Sequence, residues 1–251
     1  MGSSAGATTG AKTAAMVIIG DEILSGRTQD KNLKTLAEFL APLGIELREV
    51  RVVADVESAI VEAVNALRGH WDYVFTTGGI GPTHDDITAD SIAKAFGVGI
   101  DIREDAAAIL HDHYGDQITE ARLRMARIPD GARLIKNPSS AAPGFQMDNV
   151  FVMAGVPGVF QSMLVDVEQR LEVGAVRHMD TVRGVGVLES VIAKDLRDLA
   201  EANPELQIGS YPFFDPKGNG TAVVVKGYDP GRVLVVIEQV RMIMNDIQQN
   251  S

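Results

Sequence analysis

The stretch TTGGIGPTHDDIT, residues 76–88, places three glycines and a proline just ahead of a histidine, two adjacent aspartates and a threonine. Glycines let the backbone approach a ligand closely and adopt turns closed to other residues. A helix that follows such a turn offers free N–H groups and about half a positive charge to an anion. The pattern points to phosphate, yet it delivers Asp85 and Asp86 to the same place. Capping by Thr83 or Asp86 of a helix that begins near Ile87 explains one aspartate, and solvation explains the other. Neither explains a histidine and two aspartates behind three glycines. A divalent ion reconciles the parts, because Mg²⁺ bridges carboxylates to substrate phosphates and keeps several waters. Asp86 and Asp85 are then the expected metal ligands. Thr77, Gly78, Gly79, Gly81 and Thr83 are the expected phosphate contacts. The stretch is neither a Walker loop nor a GxGxxG fingerprint: the final glycine and the Lys–Ser/Thr pair are missing.

Three further places carry suitable groups. In GDEILSGRTQDKN (20–32), Gly20 ends an apolar run, Asp21 and Glu22 follow, and Ser25, Gly26 and Thr28 add hydroxyls and a free amide; ordinary turn chemistry explains these as well. Asp55 lies between a strand and a helix and, taken alone, reads as an N-cap. NPSSAAPGF (137–145) reads alone as a connection between strands, although Ser139, Ser140 and the amides before Pro143 could cup a phosphate. His111 and His113 are two apart and cannot face one metal from a regular helix. Trp71 reads as packing. Serine-nucleophile chemistry lacks its GxSxG elbow.

These groups need a scaffold. Short apolar runs alternate with helical spacing from Ala14 onward. Strands are expected at 14–20, 46–53 and 72–79, and helices at 32–44, 56–68 and 87–97. Alternation at this spacing means right-handed crossovers and a parallel sheet. Ligands of such sheets sit beyond the carboxyl ends of the strands, so the loops 20–30 and 76–86 should open on one rim. One or two helices over 104–127, strands at 132–137 and 149–155, and a helix over 155–171 with Pro157 in its first turn complete this part. After Gly174 the pattern restarts with strand 178–187, helix 189–201, strands 206–211 and 220–227, and helix 230–248.

Composition narrows the partners. The 251 residues carry a formal charge of −11, with no basic stripe to neutralise nucleic-acid phosphates. The acidic balance also argues against an anionic membrane surface, and no apolar run reaches the ~20 residues of a membrane helix. A phosphate ligand must therefore be held by backbone N–H groups, hydroxyls or a bridging metal. The chain has no cysteine, which removes disulfides, thiolate catalysis and cysteine-ligated metals. Residues 1–14 read as a disordered extension without the apolar segment of a signal peptide, and the expected setting is the cytoplasm.

Taken in order, GDEILSGRTQDKN, VADV, TTGGIGPTHDDIT, NPSSAAPGF, AGVPGV and IGSYPFF (208–214) resemble the MoaB/Mog molybdopterin-binding domain family. The likeness is to the form found at the N-terminus of CinA, the competence/damage-inducible protein, without the deamidase domain that often follows there. The molybdopterin-binding-like half of FAD synthase is similar. The resemblance runs from about Ala15 to the C-terminus. It implies an α/β fold: a three-layer α/β/α domain with a mostly parallel sheet over 15–173, then a smaller α/β domain over 174–251. It also implies a small-molecule nucleotide or pterin phosphate as ligand. The first reading is a metal-dependent pyrophosphatase acting on a nucleotide such as ADP-ribose or FAD. The second is molybdenum-cofactor biosynthesis, binding or adenylylating molybdopterin. The third is a non-catalytic binding module. Asp55 and Asp86 fall on the family's two important aspartates. Mg²⁺, Mn²⁺ or Co²⁺ would sit on Asp86, with Asp85 or Glu22 assisting, and Asp55 or Glu22 would serve as general base. Phosphate contacts extend to Gly20, Ser25, Gly26, Ser139, Ser140 and Gly144. Where the family commonly reads NxxGTAPG, this chain has Ser140 and Ala141. Association into a homo-oligomer is expected.

Overall fold

A computed structural model describes residues 10–216 and 218–249. The chain divides into two compact units, Met1–Gly174 and Ala175–Ser251.

In the first unit the order is β1 (Lys12–Ile19), α1 (Asp21–Leu24), α2 (Asn32–Leu40), β2 (Ile45–Val53), α3 (Glu57–Arg68), β3 (Tyr73–Thr77) and α4 (Thr88–Phe96). There follow β4 (Ile100–Ile102), α5 (Glu104–Tyr114), α6 (Glu120–Leu123), β5 (Arg127–Pro129), β6 (Arg133–Ile135), β7 (Gly144–Met147), β8 (Val150–Met153) and α7 (Pro157–Glu168). The main sheet runs β2-β1-β3-β8-β7-β6. The β2-β1, β1-β3 and β3-β8 pairs are parallel, and β7 alone is reversed against both neighbours. β1 begins at Lys12, so residues 12–14 belong to the sheet and not to an extension; residues 1–9 of that extension lie outside the described residues.

Period-two alternation puts successive β1 side chains on opposite faces, and both faces are covered. Ala15, Val17 and Ile19 join Ile60, Val64, Leu67 and Ile92 of α3 and α4, with Ala106 and Leu110 of α5. Ala14, Met16 and Ile18 join Leu36 and Leu40 of α2 and Phe160, Met163 and Val167 of α7. This is the three-layer α/β/α arrangement, and it explains why β1 and β3 read as unbroken apolar runs. Trp71 packs partly buried against the α3/α4 side.

The segment 104–127 holds two helices, α5 and α6, and not one continuous helix. α5 ends at Tyr114, and Arg127 already starts β5, which pairs with β4 in a small separate ladder. β7 went unread because Gly144 follows directly on the Pro143 turn.

The second unit contains β9 (His178–Val185), α8 (Glu189–Ala202), β10 (Gln207–Asp215), β11 (Gly218–Gly227) and α9 (Pro230–Gln249). Its antiparallel sheet has the order β10-β11-β9. Val182, Val223 and Val225 pack against Ile192 of α8 and Val233, Val236, Ile237 and Val240 of α9. No described helix is long and apolar enough to cross a membrane.

Candidate functional site

The carboxyl ends of β1, β2, β3 and β8 share one rim, and a cavity of 520 Å³ opens there. Ladder bonds run to its edge: Gly20 N donates to Val53 O, and Gly78 N to Met153 O. Gly78 turns the chain with a positive φ directly against the carbonyl of Ile19, a position closed to any side chain. Among the described residues the N–H groups of Gly79 and Gly81 donate to no protein acceptor. The first turn of α7 also faces the cavity through Val156, Pro157 and Val159, with no side chain capping its N–H groups. These are donors suited to an anion.

Four carboxylates line the same cavity: Glu22 after β1, Asp55 after β2, and Asp85 and Asp86 after β3. Its lining contains no lysine or arginine. Asp86 is braced by its own loop: its Oδ2 accepts from the backbone N–H of Thr83 (2.8 Å) and from the Thr83 hydroxyl. The carboxylate lies over Gly81, where a side chain would collide with it. The Thr83 hydroxyl also holds the Asp85 carboxyl below the usual aspartate range, helped by an Asp85 backbone hydrogen bond; one proton serves one aspartate at a time. Asp55 is the opposite case. Partial burial pushes its pKa up, against the lowering effect of the Asp21 N–H, and the charges of Asp21, Glu22 and Asp85 push it further. Crowded carboxylates without a cationic side chain disfavour their own ionisation.

Several expectations need correcting. Neither Thr83 nor Asp86 caps α4; Ile87 is its N-cap residue and no side chain bonds there. Asp55 does not cap α3 either. Its Oδ2 reaches across to the N–H of Asp21 at 2.9 Å and ties the β1 and β2 loops together. Thr77 is buried, donating to Ala154 O and accepting from Asn32 Nδ2, so it holds the loop after β8 and its hydroxyl has no proton left for a phosphate. Gly144 is a buried β7 residue pressed on Val152 O. Ser25, Gly26, Thr83 and Ser139 are exposed and do not line the cavity, and His84 is almost fully exposed. Gly20, Glu22, Asp55, Gly78, Gly79, Gly81, Asp85, Asp86 and Ser140 do line it. The amides before Pro143 are committed: Ser139 N and Ser140 N donate to Asn137 Oδ1, Ala141 N to Asn137 O, and Ala142 N to Ser140 O. Asn137 organises this loop and was missed, because an asparagine before proline reads as simple turn chemistry. Asn32 was missed likewise. Its buried amide bonds Thr77 and Gly155 O, fixing the approach to α7.

Residues 15–172 match the family described as "Probable molybdopterin binding domain", and residues 180–249 match "FAD synthase, middle domain". The chain belongs to the MoaB/Mog molybdopterin-binding domain family, in its CinA-like form. A protein of Archaeoglobus fulgidus is 31% identical over 92% of this chain and 97% of its own length. The crystal structure of CinA from Thermoplasma acidophilum, titled as of unknown function, is 36% identical. It covers 64% of this chain and all of its own, with a TM-score of 0.61. A Clostridium beijerinckii protein named as competence-damage inducible is 32% identical over 79% of this chain, which spans 51% of that relative.

The donor set fits a divalent cation only in part. Among the described residues no group of three or more His, Asp or Glu is arranged to hold an ion by itself. Two carboxylates on one loop, with others across the cavity, suit an ion that completes its shell with phosphate oxygens and water.

Proposed function

We propose that this family member is a metal-dependent pyrophosphatase for a nucleotide such as ADP-ribose or FAD. The observation that carries the reading is a 520 Å³ cavity, of the size of a small-molecule site, lined by four carboxylates, free glycine-loop amides and no basic side chain. A pyrophosphate cannot enter such a site with its charge uncompensated. Asp86, with Asp85 or Glu22 assisting, would hold Mg²⁺, Mn²⁺ or Co²⁺. When bound, the ion would offset phosphate charge and acidify an attacking water.

The protein's own groups do the rest. Gly79 and Gly81 amides and the first turn of α7 orient the phosphates. Asp55, made more basic than an ordinary aspartate by its partial burial, or else Glu22, takes the proton of the attacking water. Water adds to one phosphorus, the bridging oxygen leaves with the other, and two phosphomonoesters result. The match of residues 180–249 to a domain of FAD synthase supports a flavin dinucleotide among the substrates. The match of residues 15–172 favours molybdopterin as the second reading. The cysteine-free composition supports a cytoplasmic setting.

The test is phosphate release, coupled to a phosphatase that acts on monoesters, from ADP-ribose and FAD with each metal. Wild type should turn over and Asp86→Ala should not, at unchanged fold. Full activity in the variant would sink the mechanism. No cleavage by wild type, together with co-purified pterin fluorescence, would establish the second reading in its place.

A further inference from the structure

The polar groups of the cavity are sorted by strand. All four carboxylates follow β1, β2 or β3, on one half of the sheet, whereas Ser140 follows β6, the strand at the opposite edge. Ser140 and Thr28 are the hydroxyls in the lining, and Asn137 is its amide side chain.

The hydrogen bonds around Asn137 fix which way the Ser140 hydroxyl works. Backbone N–H groups can only donate, so the side-chain atom that meets Ser139 N (3.1 Å) and Ser140 N (3.2 Å) must be the amide oxygen. The other atom is therefore the NH₂ group, and it reaches Ala142 O at 2.8 Å, which only accepts. The same NH₂ lies 2.7 Å from Ser140 Oγ. An NH₂ has no lone pair to offer, so Ser140 Oγ must accept there. Both amide hydrogens are then used, and Asn137 has none left for a ligand. The hydroxyl proton of Ser140, in contrast, donates to no protein acceptor among the described residues. The loop is also held against relaxation: Ala141 sits at φ 60, a left-handed conformation unfavourable for alanine, and Asn137 O accepts its N–H.

We infer that Ser140 is a specificity-determining residue, whose hydroxyl proton, left free by Asn137, donates to an acceptor oxygen on the ligand. Asn137 is its positioning residue. The inference rests on the reading of this cavity as a pyrophosphate-nucleotide site, and it adds a polarity to that site. The carboxylates that would hold a metal lie on the β1–β3 half, and an acceptor oxygen meets Ser140 on the other. A non-bridging phosphate oxygen and a carbonyl or hydroxyl oxygen of the nucleotide share this chemistry.

The experiment is calorimetric titration of ADP-ribose, and separately of inorganic pyrophosphate, with Mg²⁺, into wild type, Ser140→Ala and Ser140→Thr. Ser140→Ala should weaken binding of ADP-ribose about tenfold, as expected for one hydrogen bond to a charged or strongly polar group. Ser140→Thr, which keeps the hydroxyl, should stay within about threefold and melt with wild type, whereas Ser140→Ala also strands one Asn137 amide hydrogen and should melt somewhat lower. Equal loss with pyrophosphate places the acceptor on a phosphate; loss with ADP-ribose alone places it on the rest of the nucleotide. If wild type binds and Ser140→Ala binds equally well, the inference fails and the pyrophosphatase reading stands. If alanine and threonine weaken binding alike and lower Tm, Ser140 is a loop strut and the inference is overturned. If wild type binds neither probe, the pyrophosphatase reading fails and takes the inference with it.

Discussion

Gly78→Ala tests whether the turn after β3 is set by space or only by backbone conformation. Gly78 has φ 104, and a Cβ there would stand 2.1 Å from the carbonyl oxygen of Ile19. Ordinary contact requires the two atoms to part by about 1 Å or more. The obstacle is backbone at the end of β1, paired on both sides by β2 and β3, and it cannot swing away like a flexible side chain. Gly97, which ends α4 at φ 67, has nothing within 4 Å of its would-be Cβ. It suffers the same left-handed handicap without the collision. Net of the entropy alanine removes from the unfolded chain, that handicap costs about 1 kcal/mol. Forced displacement of packed atoms adds about 1–3 kcal/mol. Gly97→Ala should therefore lower Tm by about 3 °C and Gly78→Ala by about 9 °C, at roughly 3 °C per kcal/mol for a domain of this size. Phosphate release should survive in Gly97→Ala and fall about a hundredfold in Gly78→Ala, because the shift misplaces the amides by about 1 Å. Urea and thermal denaturation followed by circular dichroism give the first comparison. Equal destabilisation by the two substitutions would refute the packing argument.

Asp55→Asn should remove activity while raising stability near neutral pH. The folded protein holds the Asp55 proton more tightly than the unfolded chain does, so its favourable contribution is complete below the ordinary aspartate pKa and is lost as pH rises through the folded value. The Tm gain of the variant should thus be largest at pH 7 and vanish toward pH ~4; a gain that grows on acidification would contradict the assignment. Ala141→Gly should stabilise by up to about 1 kcal/mol by relieving the left-handed alanine, read as an upward shift in urea midpoint. Asn32→Ala should cost about 1–3 kcal/mol, since it strands the buried Thr77 hydroxyl and removes the bond to Gly155 O; a loss under 0.5 kcal/mol, measured by the same denaturation, would show that water replaces the amide.

The long parallel strands were legible because burial on both faces writes itself as an unbroken apolar run, as in Ala14–Ile19. The loops on the rim were legible because Gly78 and the paired aspartates suit few other purposes. What escaped was direction. Thr77 and Gly144 lie in the right motifs, but one points into the β8 loop and the other into the sheet, and a spacing pattern alone does not say which. Asp55 was read as a local cap because capping is a short-range habit, whereas its actual partner, Asp21, is 34 residues away. β4, β5 and β7 are too short, at 3, 3 and 4 residues, to show a period.

The single tryptophan has a practical consequence. Trp71 lies in the first unit, its Nε1–H donating to Glu49 at 3.2 Å and its ring edge-on to His70, while residues 175–251 contain no indole. Selectively excited emission is therefore a private signal of the first unit, whereas far-ultraviolet dichroism averages the helices of both units. Recorded together during denaturation, the two signals separate the melting of one unit from the other without a label, a truncation or an added residue.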